Sequence, residues 1–208
     1  MNEQYKSLYI NKKDNFFSAL IIFIIAVMCV FVFTVSTVSF VVIDGESMYP
    51  TFNDQDVVVQ NTISPVRRGD VVIIKNKKTN SDLIIKRIIA VGGDQFYFEG
   101  GNVYLKKKGE ADFNLLKEDY VVPNTTFYPN VTSALDIKKS AIFTIEDGEY
   151  YFLGDNRTDS HDSRSGDFGT CNRQDIVGVV SSFAIKTKEV TKSLVIFTNK
   201  VYSSLGLI

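Results

Sequence analysis

The octet Leu83-Ile84-Ile85-Lys86-Arg87-Ile88-Ile89-Ala90 sets two charged residues inside an otherwise apolar, largely branched run. Branched side chains suit the pleated, packed surface of a strand better than a helix. Successive strand residues alternate faces, so Ile84, Lys86 and Ile88 share one, and Lys86 has apolar neighbours on either side. Working outward, similar β-branched or aromatic runs recur at residues 57–59, 71–74, 96–98, 103–105, 150–153 and 176–183, bounded by Gly, Asp and Asn. Glu99-Gly100-Gly101-Asn102 reads as a hairpin turn, because paired glycines take positive φ without a Cβ penalty. Gly92-Gly93-Asp94 and Asp147-Gly148 are further turn signals. No soluble helical period stands out. The expectation is a mainly β fold, an antiparallel β-sheet domain with the less regular stretch 106–147 as a peripheral insertion.

Upstream, residues 16–43 carry no charge, and the nearest charged residues are Asp14 and Asp44. A bilayer-crossing helix needs about 20 residues. A cleavable signal peptide has an apolar core of only about 7–15. An uncleaved anchor over residues 16–38 follows, with residues 1–15 before it and a β-rich domain over 39–208 after it. Lys6, Lys12 and Lys13 precede the run, whereas Asp44, Glu46, Asp54 and Asp56 follow it. The basic residues place the N-terminus on the cytoplasmic side and the domain outside.

A net charge of −1 offers no electrostatic attraction for nucleic acid. Two cysteines, Cys29 inside the apolar run and Cys171 far from it, read as free thiols rather than a disulfide framework. With one histidine there is no metal-ligand spacing, so no metal and no cofactor is expected. Asn124 and Asn130 head Asn-X-Thr sequons of no evident meaning, and residues 193–208 read as a terminal strand or an interfacial tail.

Three segments carry chemistry. In Gly45-Glu46-Ser47-Met48-Tyr49-Pro50-Thr51, a Gly before and a Pro after Ser47 suggest a fixed backbone presenting a hydroxyl. Taken alone, such a serine is more often an ordinary turn residue. Lys86 on an apolar strand face is the second element. Burial disfavours the ammonium, and moving its pKa from about 10.4 to about 8 takes roughly 3 kcal/mol. By itself it also reads as a snorkelling strand-edge lysine. The third is residues 154–164, Gly-Asp-Asn-Arg-Thr-Asp-Ser-His-Asp-Ser-Arg, where Asp162 and Arg164 can pair and Ser160 can hold a lysine in register.

Together and in this order, the three segments resemble bacterial signal peptidase I. That family has a Ser-Met-X-Pro-Thr loop just after a membrane anchor, and a Lys-Arg strand leading to Gly-Asp, here Gly93-Asp94. Its last signature is Gly-Asp-Asn-X-X-X-Ser-X-Asp-Ser-Arg, matched from Gly154 to Arg164. The resemblance implies a Ser–Lys dyad with Ser47 as nucleophile and Lys86 as general base. It implies that Ser160 orients Lys86 and that Asp155, Asp162 and Arg164 shape the loop. The Ser47 N–H would be one oxyanion donor. Some relatives supply a serine hydroxyl as the second, two residues before the nucleophile, and here Gly45 could offer only its backbone N–H. The implied substrates are exported preproteins with small residues at −3 and −1, lying extended in shallow apolar pockets, with Met48, Pro50 and Ile84 in contact. The implied setting is the bacterial cell membrane, with the bilayer as partner.

His161, between Ser160 and Asp162, does not make a Ser–His–Asp triad, because sequence neighbours in an extended loop point in different directions. Self-cleaving repressors share the Gly-X-Ser-Met loop and a strand lysine, but they carry a DNA-binding domain where this chain has the apolar run. A processing peptidase dedicated to one partner stays open. Intact Ser47 and Lys86 argue against a tethered β domain that binds exported proteins without cutting them, because a binding module has no need of both.

Overall fold

The computed structural model describes residues 3–76, 82–122, 141–166, 168–181 and 193. Phe183, the two sequons and residues 194–208 lie outside the described residues.

The apolar run becomes two elements. Helix α1 (Glu3–Thr37) contains an apolar stretch, Asn15–Thr37, of mean hydropathy 3.1 with none of that window buried in the protein. Its 23 residues reach about 35 Å at 1.5 Å each, against a hydrocarbon thickness of about 30 Å. Hydroxyls near its end are satisfied within the helix: Thr34 Oγ1 donates to Val30 O (2.9 Å) and Ser36 Oγ to Val32 O (2.8 Å). The helix stops at Thr37, and the apolar chain continues as strand β1 (Val38–Val42). Hydropathy alone could not place that switch; the valines at 38, 41 and 42 favour the strand. The chain divides into two compact units, Met1–Ser39 and Phe40–Ile208.

The second unit is built from β2 (Val57–Asn61), β3 (Val71–Lys75), β4 (Leu83–Val91), β5 (Gln95–Glu99), β6 (Asn102–Lys106), β7 (Asn114–Leu115), β8 (Phe143–Thr144), β9 (Glu149–Leu153), β10 (Cys171–Asn172) and β11 (Ile176–Val180). One sheet has seven strands in the order β1-β2-β11-β3-β4-β9-β10, and the other has four, β7-β6-β5-β8. From β2 through β10 the neighbours in the larger sheet pair antiparallel. The Gly100-Gly101 turn closes the β5–β6 hairpin with φ of 57° and 80°, and Glu99 pairs with Asn102 across it. Part of the insertion is built into the fold, since β7 pairs with β6 and β8 with β5.

Strand β4 lies inside the larger sheet, flanked by β3 and β9, and every residue from Ile85 to Ala90 is buried. A bulge between Ile88 and Ala90 shifts its register against β9. Ile88 therefore joins Val72, Ile74 and Phe152 in one cluster, while Ile89 and Ala90 both join Phe96 and Tyr151 in another. Simple alternation holds from Leu83 to Ile88 and fails beyond it. Cys29 is exposed on α1 and Cys171 is buried on β10, and neither forms a disulfide.

Candidate active site

The site grows from the middle of β4. Lys86 stands opposite Val72 on β3 and is 4% exposed. Its Nζ lies 2.6 Å from Ser47 Oγ and also donates to Ile85 O at 2.9 Å. Burial pulls the Lys86 pKa down to about 8, against the opposing pull of the Asp162 and Asp155 carboxylates. A minority of this amine is therefore neutral near physiological pH, far more than for an exposed lysine. A cleft of about 210 Å³ opens beside the pair, walled by Val41, Ile43, Ile73, Leu83, Ile84 and Ile85.

The loop after β9 holds the serine from behind. Asn156 N–H donates to Ser47 O (3.0 Å), and its Nδ2 donates to Glu46 O (3.2 Å). This contact needs a glycine at 154, because a Cβ there would lie 2.4 Å from Ser47 O and 2.1 Å from Ser160 Oγ. Asp155 takes a two-pronged pair from Arg87, Nε to Oδ1 at 2.8 Å and Nη2 to Oδ2 at 2.6 Å, and also accepts from Thr51 Oγ1 at 2.5 Å. Asp162 is held by Arg164 through Nε and Nη2, both at 2.8 Å, and accepts the Gly154 N–H at 3.0 Å. Burial alone would raise the Asp162 carboxyl, but the Arg164 bonds outweigh it and leave the group below its ordinary range.

Residues 16–185 match the model of the family described as signal peptidase, peptidase S26. The chain belongs to that family. Signal peptidase IB of Staphylococcus aureus (strain Mu50 / ATCC 700699) is 35% identical over 149 residues, covering 67% of this chain and 73% of the relative. Signal peptidase I P of Bacillus subtilis subsp. natto is 32% identical over 174 residues, covering 81% and 88%. A crystal structure of a signal peptidase I from Enterococcus faecalis V583 aligns at 24% identity over 57% of this chain and 99% of that one, with a TM-score of 0.41. Membership makes this peptidase a serine endopeptidase that removes signal peptides, and the apolar stretch of α1 fits a membrane-anchored protein.

In the peptidase, Ser47, Lys86, Ser160, Asp155, Asp162 and Arg164 gather around one loop. Ser160 is buried there beside Gly154 and Asp162, and the Lys86 amine donates to Ser47 Oγ and Ile85 O. Of the three expected substrate contacts, Ile84 lines the cleft. Met48 does not, because it is wholly buried with Phe52, Val58 and Ile85 and supports the loop from below. Pro50 is exposed and is not part of the cleft wall. Gly45 differs from expectation as well: its N–H already donates to Asp54 Oδ1 at 2.8 Å, which makes it a poor second oxyanion donor. The turn that follows the Ser47 loop carries Asp54 back over Gly45, a closure invisible in linear sequence.

His161 is exposed and sits edge-on to Phe168, 4.7 Å between ring centres. No group of three or more His, Cys, Asp or Glu side chains suited to a metal ion occurs among the described residues. Sequence reading passed over Gly154 and Asn156 as individual actors, although both stand in the third motif. It also passed over Glu118 and Tyr120 in the insertion, whose Arg partners are distant in sequence.

Proposed function

We propose that the peptidase cuts preproteins by Ser47–Lys86 dyad catalysis after small residues at −3 and −1, on the outer face of a bacterial membrane. The 2.6 Å approach of a buried, easily neutralised lysine to a serine hydroxyl carries this reading. Neutral Lys86 takes the Ser47 proton as Oγ attacks the scissile carbonyl, with the Ser47 N–H as a donor to the oxygen that becomes negative. The tetrahedral intermediate collapses by breaking the C–N bond, and Lys86 returns the proton to the departing amine. The acyl group remains on Ser47. Lys86 then deprotonates a water that attacks the ester carbonyl, and it returns that proton to Ser47 Oγ as the C–O bond breaks and the signal peptide leaves.

The narrow cleft, walled by branched side chains, supports small side chains at the cut site. Asp155, Asp162, Arg164 and Ser160 shape the loop, and Gly45, with φ of 88°, turns the chain into the nucleophile segment. Residues 1–15 lie in the cytoplasm and α1 crosses once, as the basic residues before it favour. Bilayer placement then restricts cleavage to chains whose apolar segment is already in the membrane.

The test is cleavage of a detergent-solubilised preprotein bearing Ala-X-Ala, comparing wild type with Ser47→Ala and Lys86→Ala. Wild type should cut after the second Ala, and each variant should lose on the order of 10³-fold or more in kcat. Equal cutting by all three would remove Ser47 and Lys86 from the reaction.

A further inference from the structure

Two buried arginines, Arg87 from β4 and Arg157 from the loop after β9, flank one aromatic ring of the insertion. The Arg87 guanidinium stacks 3.9 Å from the centre of the Tyr120 ring, and that of Arg157 lies 5.9 Å away. The Tyr120 hydroxyl donates to Glu118 Oε1 at 2.9 Å. Glu118 in turn takes both Arg157 terminal nitrogens, Nη1 at 2.8 Å on Oε2 and Nη2 on Oε1. That ion pair is nearly dry, with the Arg157 side chain 1% and the Glu118 side chain 11% exposed. Burial and the Glu118 charge hold the Tyr120 phenol well above its ordinary range, so it stays a neutral donor.

What these two residues grip lies directly behind the nucleophile. Arg87 binds Asp155, and Glu118 binds Arg157. Between them stands Asn156, whose N–H holds Ser47 O and whose amide holds Glu46 O. Arg157 also donates through Nε to Gly154 O at 3.1 Å, and Arg164 donates to Arg157 O at 2.8 Å. Thr51, four residues beyond Ser47, is tied to Asp155. Both neighbours of the residue that holds the serine backbone are therefore fixed by directional, poorly solvated bonds. Cation–π contacts and bidentate pairs strengthen when water is excluded. Their value here is geometric, because a displacement of about 1 Å at a reacting group costs about 10²-fold in rate.

We infer that Glu118 and Tyr120 are positioning residues for the peptidase reaction, acting through Arg157, Arg87 and Asn156 on the Ser47 loop. The inference rests on Ser47 being the nucleophile. It gives the described part of the insertion a role in the rate of the chemical step rather than in substrate capture.

The experiment uses the full-length enzyme in detergent with the Ala-X-Ala preprotein, and Ser47→Ala as the inactive control. Tyr120→Leu and Glu118→Gln should each lower kcat by about tenfold with KM within about twofold. Tyr120→Phe keeps the ring over Arg87 and should lose only about two- to threefold. In an Arg157→Met background, Glu118→Gln should add little, because Glu118 acts through the Arg157 side chain. Assays run well below each variant's melting temperature separate this effect from unfolding, and the Phe and Gln variants stand in if the Leu variant does not fold. Unchanged kcat in Tyr120→Leu and Glu118→Gln, or losses from Glu118→Gln that multiply fully with Arg157→Met, would overturn the positioning role. Cutting by Ser47→Ala at the wild-type rate would instead overturn the nucleophile on which it rests.

Discussion

Strands β4 and β9 meet two different interiors. Toward the four-stranded sheet, Ile89, Ala90, Tyr151 and Leu153 pack against Phe96, Phe98, Val103, Leu105 and Ile145. The Phe96 ring lies 5.1 Å from that of Phe143 and 4.5 Å from that of Tyr151. Toward the Ser47 loop, β4 and the chain after β9 bury Lys86, Arg87, Asp155, Arg157, Ser160 and Asp162 instead. The apolar interior is held by non-directional burial, at about 25 cal/mol per Å², so neighbours can readjust around a change. The polar interior is held by bonds of fixed direction, and each buried charge there costs several kcal/mol unless it is matched. Arg87 and Arg164 each have a carboxylate. Lys86 donates to a serine hydroxyl and a carbonyl oxygen, and its burial favours the neutral form.

The comparison predicts that damage to the two interiors is felt differently. The largest energetic effect should come from Phe96→Ala, which removes a fully buried ring from the aromatic side and should cost about 3–5 kcal/mol of stability. Urea unfolding of the solubilised enzyme measures that loss, while kcat per folded molecule should stay within about twofold of wild type. A large fall in kcat at full folding would show the two interiors to be coupled.

Next comes Gly154→Ala, where the new Cβ must displace Ser47 O or Ser160 Oγ. A drop of about 10²-fold in kcat is expected, with a smaller shift in thermal midpoint than Phe96→Ala produces. Near-wild-type kcat would mean that the loop yields without moving the serine. The pH response comes last. With Lys86 near 8 and active only when neutral, kcat/KM should rise about tenfold per pH unit below that value and level off above it. A profile flat from pH 6 to 9 would mean that some other group is the base.

Much of this was legible in advance, for identifiable reasons. Strand positions followed from runs of Val, Ile and Phe, and the Gly100-Gly101 turn from the need for positive φ. The Ser47, Lys86 and 154–164 segments announced themselves as three ordered motifs. Misplaced details lay where the decisive contact is long-range. Met48 looked like a cleft residue beside the nucleophile, but core packing claimed its side chain. Gly45 looked like a free donor until Asp54 folded back onto it. Asn156, Glu118 and Tyr120 carried no local sign of their partners, because Ser47 and Asn156 stand 109 positions apart (156 − 47).

The linear sequence determined the apolar length able to cross a bilayer, the strand-forming runs, and the residue types for a serine nucleophile and a lysine base. Those are properties of short windows, where periodicity, propensity and side-chain chemistry act within a few residues. Tertiary structure alone decided where the apolar run turns from helix to strand, and how fully Lys86 is desolvated. It also decided which donors remain free around Ser47, and which distant side chains hold that loop. Burial and hydrogen-bond direction depend on what the rest of the chain brings alongside, and no local window contains that information.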